Sequence, residues 1–257
     1  VSPVAGTNAP RTVSDADLAA VADAQDPATA IHWMAFVAGV VLLLLKAANV
    51  PELVYTITGA NLKILYFVVP FAYIGILFSQ GFDTALRNKS VVFFLLFYFW
   101  MVLATPTSSW VGGSVGRVKD FGIHMVPLVL VGSAMIMSWK QVRITFGIMA
   151  VAAVIVLVST RYFGEMNMGR ISLSSSGTIG NSNDLAAHLL FLTSFLLYVV
   201  LDTRRNLLFR GIAILFIAYS LYVILGTGSR GALVALGAGG IFFLIKAQMK
   251  VRIGFVL

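Results

Sequence analysis

Residues 211–246 read GIAILFIAYSLYVILGTGSRGALVALGAGGIFFLIK, an unbroken apolar stretch whose single charge before the closing lysine is Arg230. One helix of that length would run about 54 Å at about 1.5 Å per residue, against a hydrocarbon core about 30 Å thick. The stretch must therefore break. Gly226, Gly228 and Gly231 are the expected site, because glycine tolerates the positive φ angles of a tight turn. Arg230 then stands at the turn of a helical hairpin rather than in mid-membrane. The fragment GTGSRG also fits G-x-G-x-x-G, but that fingerprint needs a preceding strand and a βαβ unit, and here it joins two membrane-length runs. A dinucleotide site is discarded.

The rest of the chain has the same character. Of 257 residues, 59% are hydrophobic and 11% charged, where soluble domains carry about 25% charged residues. Apolar runs fall at 31–45, 62–79, 90–105, 121–138, 144–159, 185–201, 211–227 and 231–246. At about 20 residues per span, the expected fold is an all-α polytopic transmembrane bundle of about eight spans. Residues 1–29 form a polar tail with Asp15, Asp17, Asp23 and Asp26, unlike the basic start of a signal peptide, and a short helix is expected near 15–25. Residues 30–257 form the membrane domain. Val1 is not an initiator methionine and Val251–Leu257 resembles the start of another apolar segment, so both ends are expected to be cut.

The absence of cysteine removes disulfides, thiolate metal sites and cysteine nucleophiles. The net charge of +8 is read here for sidedness, not for nucleic acid, which is not an expected partner. With the N-terminus inside, eleven Lys and Arg fall on the cytoplasmic side and seven outside, as the positive-inside rule favours. Lys46 and Lys63 read as interface anchors. The sequon Asn88-Lys89-Ser90 falls on the cytoplasmic side and is read as chance.

In this orientation, helices starting near 121, 185 and 231 point their N-termini outward, with Arg117 and Lys119, Arg170, and Arg230 nearby. Helix N-termini present unpaired N–H groups and partial positive charge, and arginine adds paired donors for phosphate oxygens. Together they suggest an outer anion site, the alternative being arginines that snorkel to lipid headgroups. Ser182 or Asn183 is expected to cap the helix that begins there, and Asn181, Asn183 and Asp184 either cap it or bind a ligand. Asp184 and His188, four residues apart, could share a face. His32, His124 and His188 are too scattered for a metal site, and neither a metal nor another cofactor is expected.

The segments Gly180-Asn181-Ser182-Asn183-Asp184-Leu185-Ala186 and Thr227-Gly228-Ser229-Arg230-Gly231-Ala232-Leu233, with Arg170 in GRISLSSSGTIGN upstream, resemble the O-antigen ligase and O-antigen polymerase family of bacterial envelope proteins. The likeness covers residues 60–250. It implies a GT-C-like, metal-independent glycosyltransferase of the bacterial inner membrane. Such an enzyme takes glycan from an undecaprenyl diphosphate carrier and passes it, at the periplasmic face, to lipid A core or to another lipid-linked glycan. By the same resemblance Arg170 and Arg230 would hold the diphosphate, with Arg117 and Arg161 as weaker candidates and Asn181, Asn183 and Asp184 shaping the helix end. Family members carry a large periplasmic loop with a functional histidine beyond these spans. None of the three histidines here occupies the matching place, and no catalytic residue is assigned. Two other readings stand beside it: a non-catalytic subunit that packs against partner membrane proteins through the run VVFFLLFYFW and the Gly237, Gly239, Gly240 cluster, and a small-anion transporter.

Overall fold

The computed structural model describes residues 30–60, 64–78, 81–135, 138–173, 179 and 181–246. The polar tail with its expected helix, Lys63 and the last residues lie outside these. In the described residues each of the eight apolar runs contains a helix: α1 (Ala30–Ala47), α3 (Ile64–Phe78), α5 (Lys89–Ala104), α6 (Val111–Met135), α7 (Trp139–Phe163), α8 (Ser182–Leu201), α9 (Leu207–Gly226) and α10 (Arg230–Lys246). Two short helices, α2 (Val50–Thr58) and α4 (Gly81–Arg87), accompany them.

Five of these elements, α5 with the 3-10 turn after it, α6, α7, α8 and α9, are long and apolar enough to cross a bilayer. The pairs α1 with α2, bent by 59°, and α3 with α4, bent by 91°, raise the number to seven if each is one broken span. The chain is thus a multi-pass helical bundle with five to seven spans among the described residues, by length and composition. The eighth expected span, α10, has an apolar stretch of only Arg230–Phe242.

Local chemistry explains most of the boundaries. Ser138 and Gln141 form a reciprocal capping box at the start of α7. The Asn88 carboxamide accepts from the Ser90 amide at 3.0 Å, so the apparent sequon is an N-cap for α5. Between α1 and α2 the backbone turns at Asn49, a buried residue with φ of 53°, and Pro51 follows within the first turn of α2. Pro70 in α3 and Pro127 in α6 lie inside helices, which membrane bundles tolerate because neighbouring groups re-satisfy the freed carbonyls.

Helix α6 departs from the sequence reading. It begins at Val111, ten residues before the expected start, so Arg117 and Lys119 are exposed side chains on a helix rather than neighbours of its N-terminus. Glycines in this stretch pack closely against aromatic residues. A Cβ on Gly113 would lie 2.4 Å from the Trp110 ring, and one on Gly122 would collide with the Tyr98 hydroxyl.

Packing is uneven. Helices α7, α8 and α9 interlock through Leu157, Leu185, Leu189, Leu192 and Ile224, all fully buried. A Thr193–Ser220 hydroxyl pair at 2.6 Å ties α8 to α9, the kind of polar tie that membrane helices use. A second cluster, around Phe36, Leu42, Ile76, Val91 and Val131, joins α1, α3, α5 and α6. Beyond Val91, α5 turns Phe93, Phe97, Phe99 and Trp100 outward, which is the surface of a helix that faces lipid tails.

Between α7 and α8 lies an antiparallel hairpin. Strands β1 (Gly164–Asn167) and β2 (Arg170–Leu173) pair with Asn167 opposite Arg170. The two linking residues, Met168 and Gly169, have φ of 51° and 75°. Positive φ at both positions is the geometry of a type I′ turn.

Candidate functional site

The hairpin is what assembles this end of the bundle. Ile171 presses on Gly226 at the end of α9 so closely that a Cβ there would lie 2.4 Å from its Cδ1, and Leu173 is buried in the α7–α8–α9 core. Strand β2 is therefore laid across the helix ends. Arg170, its first residue, reaches across the turn between α9 and α10.

Two fixed bonds hold that arginine. Its Nε donates to the Thr227 carbonyl at 2.7 Å and its Nη2 donates to the Asn183 carboxamide oxygen at 2.8 Å. Its stem passes over Gly228, whose hypothetical Cβ would sit 3.4 Å from Nε. Gly228 has φ of 63°, so it alone of the three glycines supplies the positive φ expected at this break. Gly226 instead allows close approach, and Gly231 lies within α10 with nothing near its missing Cβ. Arg170 thus links β2, α8 and the α9–α10 turn while leaving further guanidinium donors free.

The start of α8 is closed. Its N-cap is Asn181, not Ser182 or Asn183: the Asn181 carboxamide oxygen accepts from both the Asn183 and Asp184 amides at 2.9 Å. The Asn181 Nδ2 donates to the Asp184 carboxylate at 2.6 Å. The three residues therefore work together as a cap. The Asn183 and Asp184 amides, among the N–H groups expected to meet a phosphate, are spent on it, and a carboxylate stands beside them.

The start of α10 is open by comparison. Ser229 offers the cap, accepting from the Ala232 amide at 3.5 Å, at the limit of hydrogen-bond length. The Arg230 and Gly231 amides meet no acceptor among the described residues. The Arg230 side chain is exposed and makes no hydrogen bond or ion pair with any described residue. Two N–H groups, the positive end of a helix dipole and a free guanidinium thus coincide.

The remaining candidates do not join this group by any described contact. Arg161 is exposed in the last turn of α7, at a helix C-terminus, and Arg117 stays on α6. His188 does not pair with Asp184; its Nε2 meets the Ala47 carbonyl at 2.7 Å, and so carries the proton there. It satisfies a carbonyl freed by the α1–α2 break. His124 Nδ1 lies 2.9 Å from the Asp120 carbonyl within α6, while the His32 side chain is outside what is described.

A narrow cleft between the α1–α2 break and α7, lined by Asn49, Leu53, Thr56, Ser159, Phe163 and Leu173, lies at the same end. Its volume of about 10 Å³ holds about one water. Among the described residues no three His, Cys, Asp or Glu side chains gather into a metal-binding group.

No family model, curated protein or solved structure matches this chain. The reading of the site therefore rests on its chemistry. Sequence reasoning missed the hairpin and the Thr227 carbonyl. A signal for the first existed in Met168-Gly169 between two short polar–apolar stretches; no local signal could give the second.

Proposed function

We propose that the chain is a membrane glycosyltransferase of the O-antigen ligase and polymerase type, acting at the outer face of a bacterial inner membrane on a lipid-linked diphosphate glycan. The observation that supports this best is the coincidence of the exposed Arg230 guanidinium, the free amides that open α10 and the spare donors of Arg170 around one turn. These are donors only, suited to an anion at the rim of a membrane bundle. A diphosphate attached to a lipid has its charge at that depth.

In the proposed reaction the acceptor hydroxyl oxygen bonds to the anomeric carbon as that carbon's bond to the diphosphate oxygen breaks. The electron pair leaves with the diphosphate, and the hydroxyl proton passes to a base. Arg230 and the α10 amides stabilise charge that grows as the bond breaks, an interaction stronger in the transition state than in the ground state. Arg170, already fixed by Asn183 and Thr227, needs no reorganisation to take part. Asn181 and Asp184 hold the α8 end, and so the Asn183 carboxamide, in place.

The test is Arg230→Ala in the full-length protein in its own membrane. Loss of one such donor group costs about 100-fold or more in rate, with membrane insertion unchanged. Transfer at the normal rate would sink the assignment.

A second reading, a non-catalytic subunit, is favoured by one feature of α10. Missing Cβ atoms at Gly231, Gly237, Gly239 and Gly240 would meet nothing, so a partner helix could approach closely there. Stoichiometric copurification of another membrane protein that is lost on Gly239→Leu would support it.

A further inference from the structure

The hairpin has one surface that the site does not use. All four β1 residues are exposed, and Met168 at the tip is 97% exposed, with Met166 and Tyr162 close behind. Large apolar side chains at a loop tip in water need a reason, because such tips are usually polar.

Helix α7 fixes how deep these residues lie. It runs into β1 without an intervening residue, Phe163 being followed by Gly164. Its two exposed aromatic residues, Trp139 and Tyr162, are separated by about 34 Å at about 1.5 Å per residue, close to a hydrocarbon core of about 30 Å plus the edges of its interfaces. Trp and Tyr are the residues that settle at both boundaries of a bilayer. Tyr162 therefore marks one boundary, and the hairpin begins at it.

The hairpin cannot then stand away into solvent, because Ile171 and Leu173 pin β2 across the helix ends. Strand β1 is the more exposed of the two. We infer that the hairpin tip is a membrane-interface anchor, with Met166 and Met168 entering the upper acyl region of the bilayer that the spans occupy. The occupant of this apolar edge is lipid, continuous with the lipid around α7. Unbranched methionine suits such a surface, since its flexible thioether adapts to disordered neighbours. The arrangement ties the depth of Arg170, two residues past the tip, to the depth of the lipid headgroups.

The chain contains no cysteine, so one introduced cysteine can carry a spin label without background. The experiment is Met168→Cys, and separately Met166→Cys, in the full-length protein reconstituted into phosphatidylcholine and phosphatidylglycerol vesicles. Collisions with oxygen, which concentrates in the bilayer, are compared with collisions with a water-soluble nickel chelate. Leu215→Cys, on the exposed face of α9, and Arg204→Cys, in the polar turn between α8 and α9, give the lipid and water references. Oxygen access exceeding chelate access at both methionine sites is expected. Chelate access like that at Arg204 would overturn the inference, as would shielding from both reagents, which means protein covers the tip. A water-like signal at Leu215 as well would instead show that α9 does not span, a different failure.

Discussion

Two helix starts lie on either side of one arginine, and they differ in what is left over. At α8 the amides of Asn183 and Asp184 are taken by Asn181, the Asp184 carboxylate is taken too, and Asn183 accepts from Arg170. At α10 the one cap among the described residues is a 3.5 Å contact from Ser229, and Arg230 has no described protein partner. Both starts are rich in the residues that suit an anion. A helix N-terminus attracts an anion only with the N–H groups that its own cap leaves free, so the two are not equivalent. The difference is that Arg170 is tethered to two protein acceptors, whereas Arg230 has none among the described residues.

Substituting each arginine sharpens that contrast most. Arg170→Ala removes two charge-assisted hydrogen bonds and leaves the Thr227 carbonyl, in a fully buried residue, without its one donor among the described residues. Because the guanidinium is only half-buried, the expected loss is about 2 kcal/mol, read as a lower midpoint of thermal unfolding in detergent. Arg170→Lys recovers less than half of it, since one ammonium cannot span both acceptors along the guanidinium plane. Arg230→Ala is expected to leave the midpoint unchanged and, on the proposed function, to slow transfer about 100-fold or more. An equal fall in stability for both variants would break the division of labour.

A smaller effect tests whether the hairpin is seated as firmly as Arg170 requires. Gly226→Ala puts a methyl group 2.4 Å from Ile171 Cδ1 and 3.1 Å from its Cγ1, so the strand must shift or Ile171 must change rotamer. Overpacking of this kind costs about 1–3 kcal/mol. Arg170, one residue away, moves with it, and both stability and transfer decline. An unchanged midpoint would mean that β2 rests loosely on α9.

The sequence makes the spans legible because lipid demands long apolar runs, and every such run became a helix. The break between Gly226 and Gly231 is legible for the same reason of length. The start of α6 is not: its apolar run begins only near 121, and the close fit of Trp110 on Gly113 and Tyr98 on Gly122 lies in packing that the pattern of apolar residues does not show. The hairpin hides because its turn uses Met168 where asparagine or aspartate usually takes positive φ. As for the site, residue types pointed to Arg170 and Arg230, but the bond joining Arg170 to Thr227 spans 57 positions. Nothing local distinguishes a tethered arginine from a free one.

The smallest expected effect bears most directly on the openness of α10. Gly231 lies in the first turn, its amide is free, and a Cβ there meets nothing within 4 Å. Its backbone is helical, so alanine needs no unusual φ. Gly231→Ala should therefore leave stability unchanged or raise it by up to about 1 kcal/mol through helix propensity. That result would set Gly231 apart from Gly226, five residues earlier, where the same methyl group is destabilising. A fall comparable to that of Gly226→Ala would mean that something packs on the α10 start in the folded protein. The free amides would then have a partner already, and the contrast between the two helix starts would disappear.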